Sequence, residues 1–403
     1  MNASTSPAPR LRLRVDRLPM AHPGDLSALA GLFDAGAVPP EQVVAVIGKT
    51  EGNGGINDFT RGFFTQTLMH LLAARTGRPA AELLRTVPCV LSGGTEGVLS
   101  PHYVVFSRGP ARAGGAADAG GALAIGTAVG APLPAHALGR WTHVRSVAAA
   151  VRAAMADARI ERPEDVAFVQ VKCPCITSAR AQAALAAGHG VVSADPGRSM
   201  AYARAAGAFG AALALRELPD DPALEAALLA DFDIHCDRAS VSSGVEVEAD
   251  EVIVLGHSPA WSGPLRMATA PMRDALDIDA VGAALAPLGI APALQVPAAD
   301  RARIAAAFVK CEPDRRGAIR GQRHTMLEDT DINAQRHVRG AVGGLVAGVL
   351  GDGRIFVSGG AEHQGPDGGG LIAVIGTTPS GLRPPPSRGG AGGPAKPDPR
   401  RPG

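Results

Sequence analysis

At 403 residues and 46% hydrophobic content, the chain is long enough for two or three packed units around a real core. A formal net charge of +1 gives no electrostatic argument for nucleic acid or an anionic membrane, and 3% aromatic content leaves few platforms for stacked bases. Five scattered cysteines (Cys89, Cys173, Cys175, Cys236 and Cys311) form no disulfide framework, and the single proline between Cys173 and Cys175 is too short a spacer for a metal-binding pair, so they read as packing residues.

Residues 1–10 read as a loose tail without the apolar centre of a signal peptide, and no uncharged apolar run reaches the length of about 18 residues that spans a membrane. A soluble cytoplasmic protein is expected. LRLRVDRLPM alternates like a half-exposed strand, and PGDLSALAGLFDAG carries a helix pattern. VVAVIG is a β-branched run ending at Lys49, TEGNGGIND is a loop, and RGFFTQTLMHLLAART is an amphipathic helix. PCVLSGG is a strand ending at Ser92, followed by the strand HYVVFSRG. This first unit spans 11–113.

AGGAADAGG (113–121) reads as the linker to a second unit, 122–262. There ALAIGTAVG is a strand, HVRSVAAAVRAAMADARI a long helix and VAFVQVK a strand ending at Lys172. SMAYARAAGAFGAALALREL is a helix, ASVSSG a strand end and EVIVLGHSP a closing strand. A third unit, 267–378, repeats the order. MATAPM opens it, DIDAVGAALAPLG is a helix, RIAAAFVK leads into Lys310, and VRGAVGGLVAGVLG is the second helix. RIFVSGG and LIAVIGTTP close it. Residues 379–403 are Pro-, Gly- and Arg-rich and are expected to be disordered.

Each unit makes the same three-part statement: a lysine ending an apolar strand, an arginine in the following helix, and a serine in a glycine turn. The sets are Lys49, Arg61 and Ser92; Lys172, Arg204 and Ser242; Lys310, Arg339 and Ser358. Internal repetition decides architecture, so the expected fold is α/β, with three similar α/β repeats arranged with pseudo-threefold symmetry around a central active site. A lone lysine after a strand is usually solvated and a lone Ser-Gly-Gly is usually a turn. Packing alone does not demand Lys, Arg and Ser at three matched places.

A serine hydroxyl attacks only when a base takes its proton, and a lysine can be that base if burial and nearby positive charge depress its pKa. Lys172 follows an apolar run, and Arg204 is the expected neighbouring cation. Three equivalent walls suit a small ring carrying three carbonyls, with one dyad attacking and two walls positioning. SGGTEG and SGGAEH lack the lysine and spacing of phosphate-binding loops, which argues against a nucleotide.

The segments GKTEGNGGINDFTRG, LSGGTEG, KCPCITSARA, SMAYARAAGAFGAALAL, FVKCEPDRRGAIRGQRHTMLEDTDINAQRHVRG and SGGAEHQGPDGGG together resemble the cyanuric acid hydrolase/barbiturase family over residues 10–378. The resemblance implies three repeats around a pseudo-threefold axis, a homotetramer, no organic cofactor, and hydrolytic opening of a small cyclic ureide. Cyanuric acid, opened to carboxybiuret and then biuret, is the expected substrate. Barbituric acid is the alternative, with the difference sought around Ile332–Gln335, and a non-catalytic binder of cyclic imides is the rival of another class. By resemblance Lys172 is the base and Ser242 the nucleophile. Arg61, Arg204 and Arg339 bind ring carbonyls. Ser92 with Gly93, Ser243, and Ser358 with Gly359 complete the walls, and Lys49 and Lys310 support them electrostatically.

The resemblance also implies a structural Mg²⁺ or Ca²⁺ held at Glu312, Ala361, Gln364, Gly365, Pro366 and Gly369, a carboxylate-plus-carbonyl set suited to a hard cation. His363 in the same loop lacks a second zinc ligand at metal spacing. The second repeat reads SVSSGVE where its sisters read SGG. That departure marks it as the working repeat and leaves open whether Ser242 or Ser243 attacks.

Overall fold

The computed structural model describes residues 9–111 and 121–379. The expected linker and both tails lie outside the described residues, apart from positions 9, 10, 121 and 379 at their inner ends. The first repeat runs β1 (Leu11–Pro19), α1 (Ser27–Asp34), β2 (Val43–Thr50), α2 (Phe59–Thr76), α3 (Ala80–Leu83), β3 (Cys89–Gly93) and β4 (His102–Pro110). The second runs β5 (Ala122–Val129), α4 (Trp141–Asp157), β6 (Val166–Pro174), α5 (Ser178–Ala186), α6 (Pro196–Ala214), β7 (Ala239–Gly244) and β8 (Glu251–Ser258). The third runs β9 (Leu265–Met272), α7 (Ile278–Leu285), α8 (Ala298–Arg301), β10 (Ile304–Cys311), the two-residue strands β11 (Ala318–Ile319) and β12 (Gln322–Arg323), α9 (Ala334–Leu350), β13 (Phe356–Ser358) and β14 (Gly370–Thr377).

Each repeat forms one four-stranded sheet, in the orders β1-β4-β2-β3, β5-β8-β6-β7 and β9-β14-β10-β13. Strand for strand these are the same sheet. The opening strand pairs antiparallel with the closing one, which pairs antiparallel with the second. The second and third strands are parallel. A parallel pair needs a crossover, and α2, α6 and α9 supply it. The crossover brings the C-terminal ends of both strands side by side. Lys49 is therefore in register with Ser92, Lys172 with Ser242, and Lys310 with Ser358.

The sheets turn one face inward and cover the other with helices. Leu13, Ile47 and Phe106, Phe168, and Phe308, Phe356 and Ala373 belong to one continuous core drawn from all three repeats. Phe168 and Phe308 stack across it with ring centroids 5.5 Å apart. On the helical side, small residues set the spacing. A Cβ at Gly210 of α6 would come within 2.6 Å of Val147 Cβ, so glycine is what lets α4 lie this close.

Several short elements (α3, α8, β11 and β12) are unexpected, and two helices differ in more telling ways. The helix expected over DIDAVGAALAPLG stops at Leu285 and tightens into a 3₁₀ turn, because Pro287 cannot continue it. An unexpected helix, α5, stands between Lys172 and Arg204. Thr177 caps it by accepting from Arg180 N at 3.2 Å.

Candidate active site

The three lysines end strands on the inward face and are essentially inaccessible to solvent, at 0–1% exposure. Burial is the largest force on each and drives each amine below its ordinary value, Lys310 to about 7. The next depressing influence is an arginine from the preceding repeat: Arg339 for Lys49, Arg61 for Lys172 and Arg204 for Lys310. The cation beside Lys172 is thus Arg61, not the expected Arg204. Arg204 belongs to the same repeat as Lys172 but crosses to the next wall.

The arginines are held by carboxylates that sequence reasoning did not single out. Arg61 donates to Glu246 at 2.7 and 3.2 Å, Arg204 to Glu362 at 2.7 and 2.6 Å, and Arg339 to Glu96 at 3.0 and 2.5 Å. Each pair is two-pronged and each joins one repeat to the next, so the three close a ring. The signal was present, since every turn carries Glu four residues after its serine: SGGTE, SSGVE and SGGAE. One wall therefore consists of a lysine, serine and glutamate from one repeat and an arginine from the repeat before it.

Two of the lysines also join neighbouring repeats. Lys172 donates to the Leu91 carbonyl at 3.1 Å, and Lys310 to the Val241 carbonyl at 2.8 Å. Each carbonyl immediately precedes the neighbouring repeat's serine. The expected site residues are thus brought together around one centre.

The walls are not equivalent. Lys49 donates to Ser92 Oγ at 3.2 Å and Lys310 to Ser358 Oγ at 3.1 Å. Lys172 does not bond Ser242. Its amine lies 2.7 Å from Glu246 Oε1 and donates to the Ser243 carbonyl at 3.4 Å. Glu246 is partly buried, yet Lys172 and Arg61 outweigh that burial and hold it down at about 2. Among the described residues Ser242 Oγ is buried and has no hydrogen-bond partner.

The Ser243 departure has a steric account. At the matching glycines a neighbouring side chain fills the space. A Cβ at Gly93 would meet Asp58 Oδ2 at 1.6 Å, and one at Gly359 would meet Gln335 Oε1 at 2.7 Å. In the second repeat Ser243 itself fills the place, donating to the Met200 carbonyl at 3.0 Å and accepting from Arg204 Nη1 at 3.3 Å. Its hydroxyl is engaged while that of Ser242 is free. Gln335, in the stretch expected to bear on ring choice, accepts from Gly360 N at 2.7 Å and so reaches the third wall. Ile332 instead lines a surface cavity of about 540 Å³ that touches the site only through Glu96.

A family model described as amidohydrolase ring-opening protein matches residues 14–377. The chain belongs to the ring-opening amidohydrolase family. It is 49% identical over 362 residues to the cyanuric acid amidohydrolase of Azorhizobium caulinodans, covering 90% of this chain and 97% of that one. It is 47% identical over 365 residues to the cyanuric acid amidohydrolase of a Bradyrhizobium species, with 90% and 97% covered. Among solved structures, one titled as a cyanuric acid hydrolase and described as evolutionary innovation by structural concatenation superposes with a TM-score of 0.88 at 41% identity, covering 92% of this chain and all of that one.

For a ring-opening amidohydrolase the metal positions matter next. Glu312 is buried, and burial followed by nearby Glu362 pushes its carboxyl up to about 8 against the pull of Arg315. Negative charge there is under-compensated, which suits a cation. Glu312 N donates to the Gly369 carbonyl at 3.1 Å, which fastens Glu312 to the 361–369 loop. Ala361, Pro366 and Gly369 carbonyls each accept one backbone N–H and keep a second lone pair. Gln364 Oε1 accepts from Val241 N at 2.6 Å and likewise keeps a second lone pair, while its Nε2 donates to the Gly360 and Glu362 carbonyls. The set fits a hard cation. His363 has both ring nitrogens engaged, with Leu229 N and the Ile234 carbonyl.

A second cluster, His143, Cys173 and Asp250, is explained without a metal. Gly139 N donates to His143 Nδ1, which leaves Nε2–H to donate to Asp250 at 2.9 Å, and Ser146 donates to the other Asp250 oxygen. No helix among the described residues is long and apolar enough to cross a membrane.

Proposed function

We propose that this amidohydrolase opens the ring of cyanuric acid, with Ser242 as nucleophile and Lys172 as its base. The observation that carries the assignment is the free Ser242 hydroxyl, in register with a buried lysine, where the other two serines are tied to theirs. The relatives' activity as cyanuric acid amidohydrolases supports the ring. Three walls suit its three carbonyls, and Arg61, Arg204 and Arg339, fixed by their glutamates, present preorganised donors to them.

In this reading Lys172 leaves Glu246 and takes the Ser242 proton as Oγ attacks a ring carbonyl. The ring C–N bond breaks and Lys172 returns the proton to the departing nitrogen. Water then cleaves the acyl-serine, and the released carboxybiuret loses carbon dioxide to give biuret. Lys49 and Lys310 stay with Ser92 and Ser358 and hold those walls. Glu312 with the carbonyls of the 361–369 loop would hold Mg²⁺ or Ca²⁺, which would compensate the Glu312 charge.

The test is turnover of cyanuric and barbituric acids side by side, following carbon dioxide release. Faster opening of cyanuric acid with biuret as product is expected. Preference for barbituric acid, or tight ring binding without carbon dioxide release, overturns the reading.

A further inference from the structure

Directly across the sheet from each repeat lysine stands a residue of the closing strand. Opposite Lys49 it is His102, opposite Lys172 it is Glu251, and opposite Lys310 it is Leu371. Residues directly opposite in an antiparallel pair share a face, so only the second repeat sets a carboxylate beside its lysine this way. Glu251 is buried at 7% exposure. Its Oε2 accepts from Cys89 N at 2.9 Å. Cys89 lies two residues before Leu91 on β3, whose carbonyl takes the Lys172 amine. The edge of β3 therefore holds both side chains from one side, the carboxylate by an N–H and the amine by a C=O.

We propose that Glu251 is a positioning residue for Lys172, the buried negative charge that stabilises the ammonium formed when Lys172 takes the Ser242 proton. This rests on the Ser242–Lys172 reading above and adds a reason why the second repeat reacts and its sisters do not. A lysine inside a protein is a weak base because burial opposes its charge, and a carboxylate on the same face offsets that. The proton moves from Ser242 Oγ to Lys172 Nζ and back to the leaving nitrogen, and Glu251 exchanges none. The charged and titratable groups around the pair are Glu246 from the turn after β7, Arg61 from α2, Cys89 from β3, and Cys173 and Cys175 from β6 and its end. Asp250, with His143, lies beside Cys173. Burial raises Glu251 to about 7, opposed first by the Cys89 N–H and then by Lys172.

The experiment compares pH–rate profiles of the intact wild type, Glu251→Gln and Glu251→Leu, each checked by thermal melting. The leucine copies what the third repeat carries at this place. The acid limb of kcat/KM moves to lower pH by about one unit in both variants, with a fall in kcat of about tenfold. An unmoved limb in a folded variant overturns the proposal. An infrared titration of the Glu251 carboxyl in Lys172→Met needs no change at 251. Its pKa rises if the two groups are coupled, and an unchanged value also overturns the proposal. Ser242→Ala in parallel separates the two failures. If it still turns over, the Ser242–Lys172 reading falls and Glu251 falls with it. If it is inactive while the limb stays put, only the role of Glu251 falls.

Discussion

Glu246 Oε1 lies 2.7 Å from Lys172 Nζ, and that contact separates the second wall from its sisters. Glu96 and Glu362 bind arginines and leave Lys49 and Lys310 to bond their serines. Glu246 binds the arginine and the lysine together, so Ser242 is left without a partner. One fold thus contains two closed Lys–Ser pairs and one open one.

Gly93→Ala and Ser243→Gly probe the steric difference between walls. The alanine Cβ would fall on Asp58, which caps α2 and pairs with Arg61, so the variant loses about 1–3 kcal/mol and melts several degrees lower. Ser243→Gly keeps the fold and loses about tenfold in kcat/KM, the scale of one hydrogen bond to a charged group, as Arg204 loses its contact. Melting curves and steady-state rates check both. Loss of all turnover in Ser243→Gly would make Ser243 the nucleophile.

The Lys–Ser register was legible in the sequence because it is local to one βαβ crossover and is written three times. The glutamates were legible as a recurring position but not as partners, since Glu246 meets Arg61 across 185 residues and nothing in either segment names the other. Assigning each arginine to its own repeat's lysine was the natural reading of order along the chain. The ring closes by handing each arginine on to the next wall. The missed helix α5 is short, rich in small residues and largely exposed, so it carries little apolar period to detect. That Lys172 leaves Ser242 free could not be read at all, because it depends on where Glu246 points.

Stability should rise with pH in a way Lys310 controls. Its folded amine titrates at about 7 and its ordinary value is 10.5. Between those values the unfolded chain holds a proton that the fold does not, so the cost of burying the charged amine is greatest below about 7 and is relieved as pH rises towards 10.5. The slope is at most about 1.4 kcal/mol per pH unit. Denaturant midpoints from pH 7 to 10 should climb more steeply in the wild type than in Lys310→Met. Equal slopes would show that the amine keeps its proton in the fold.

Mg²⁺ or Ca²⁺ should raise the melting temperature, with a gain that grows with the logarithm of free metal above its Kd. Glu312→Gln should abolish the gain, since the carboxylate is the only formal charge in the set. A metal-dependent shift that survives in Glu312→Gln would place the ion elsewhere.

The most direct test of the open second wall is the rate of cyanuric acid hydrolysis by Ser242→Ala beside Ser92→Ala and Ser358→Ala. The account predicts that Ser242→Ala loses at least about 10³-fold in kcat while keeping its melting transition, and that the other two retain measurable turnover. Wild-type turnover by Ser242→Ala, or abolition by Ser92→Ala or Ser358→Ala alone, would contradict it.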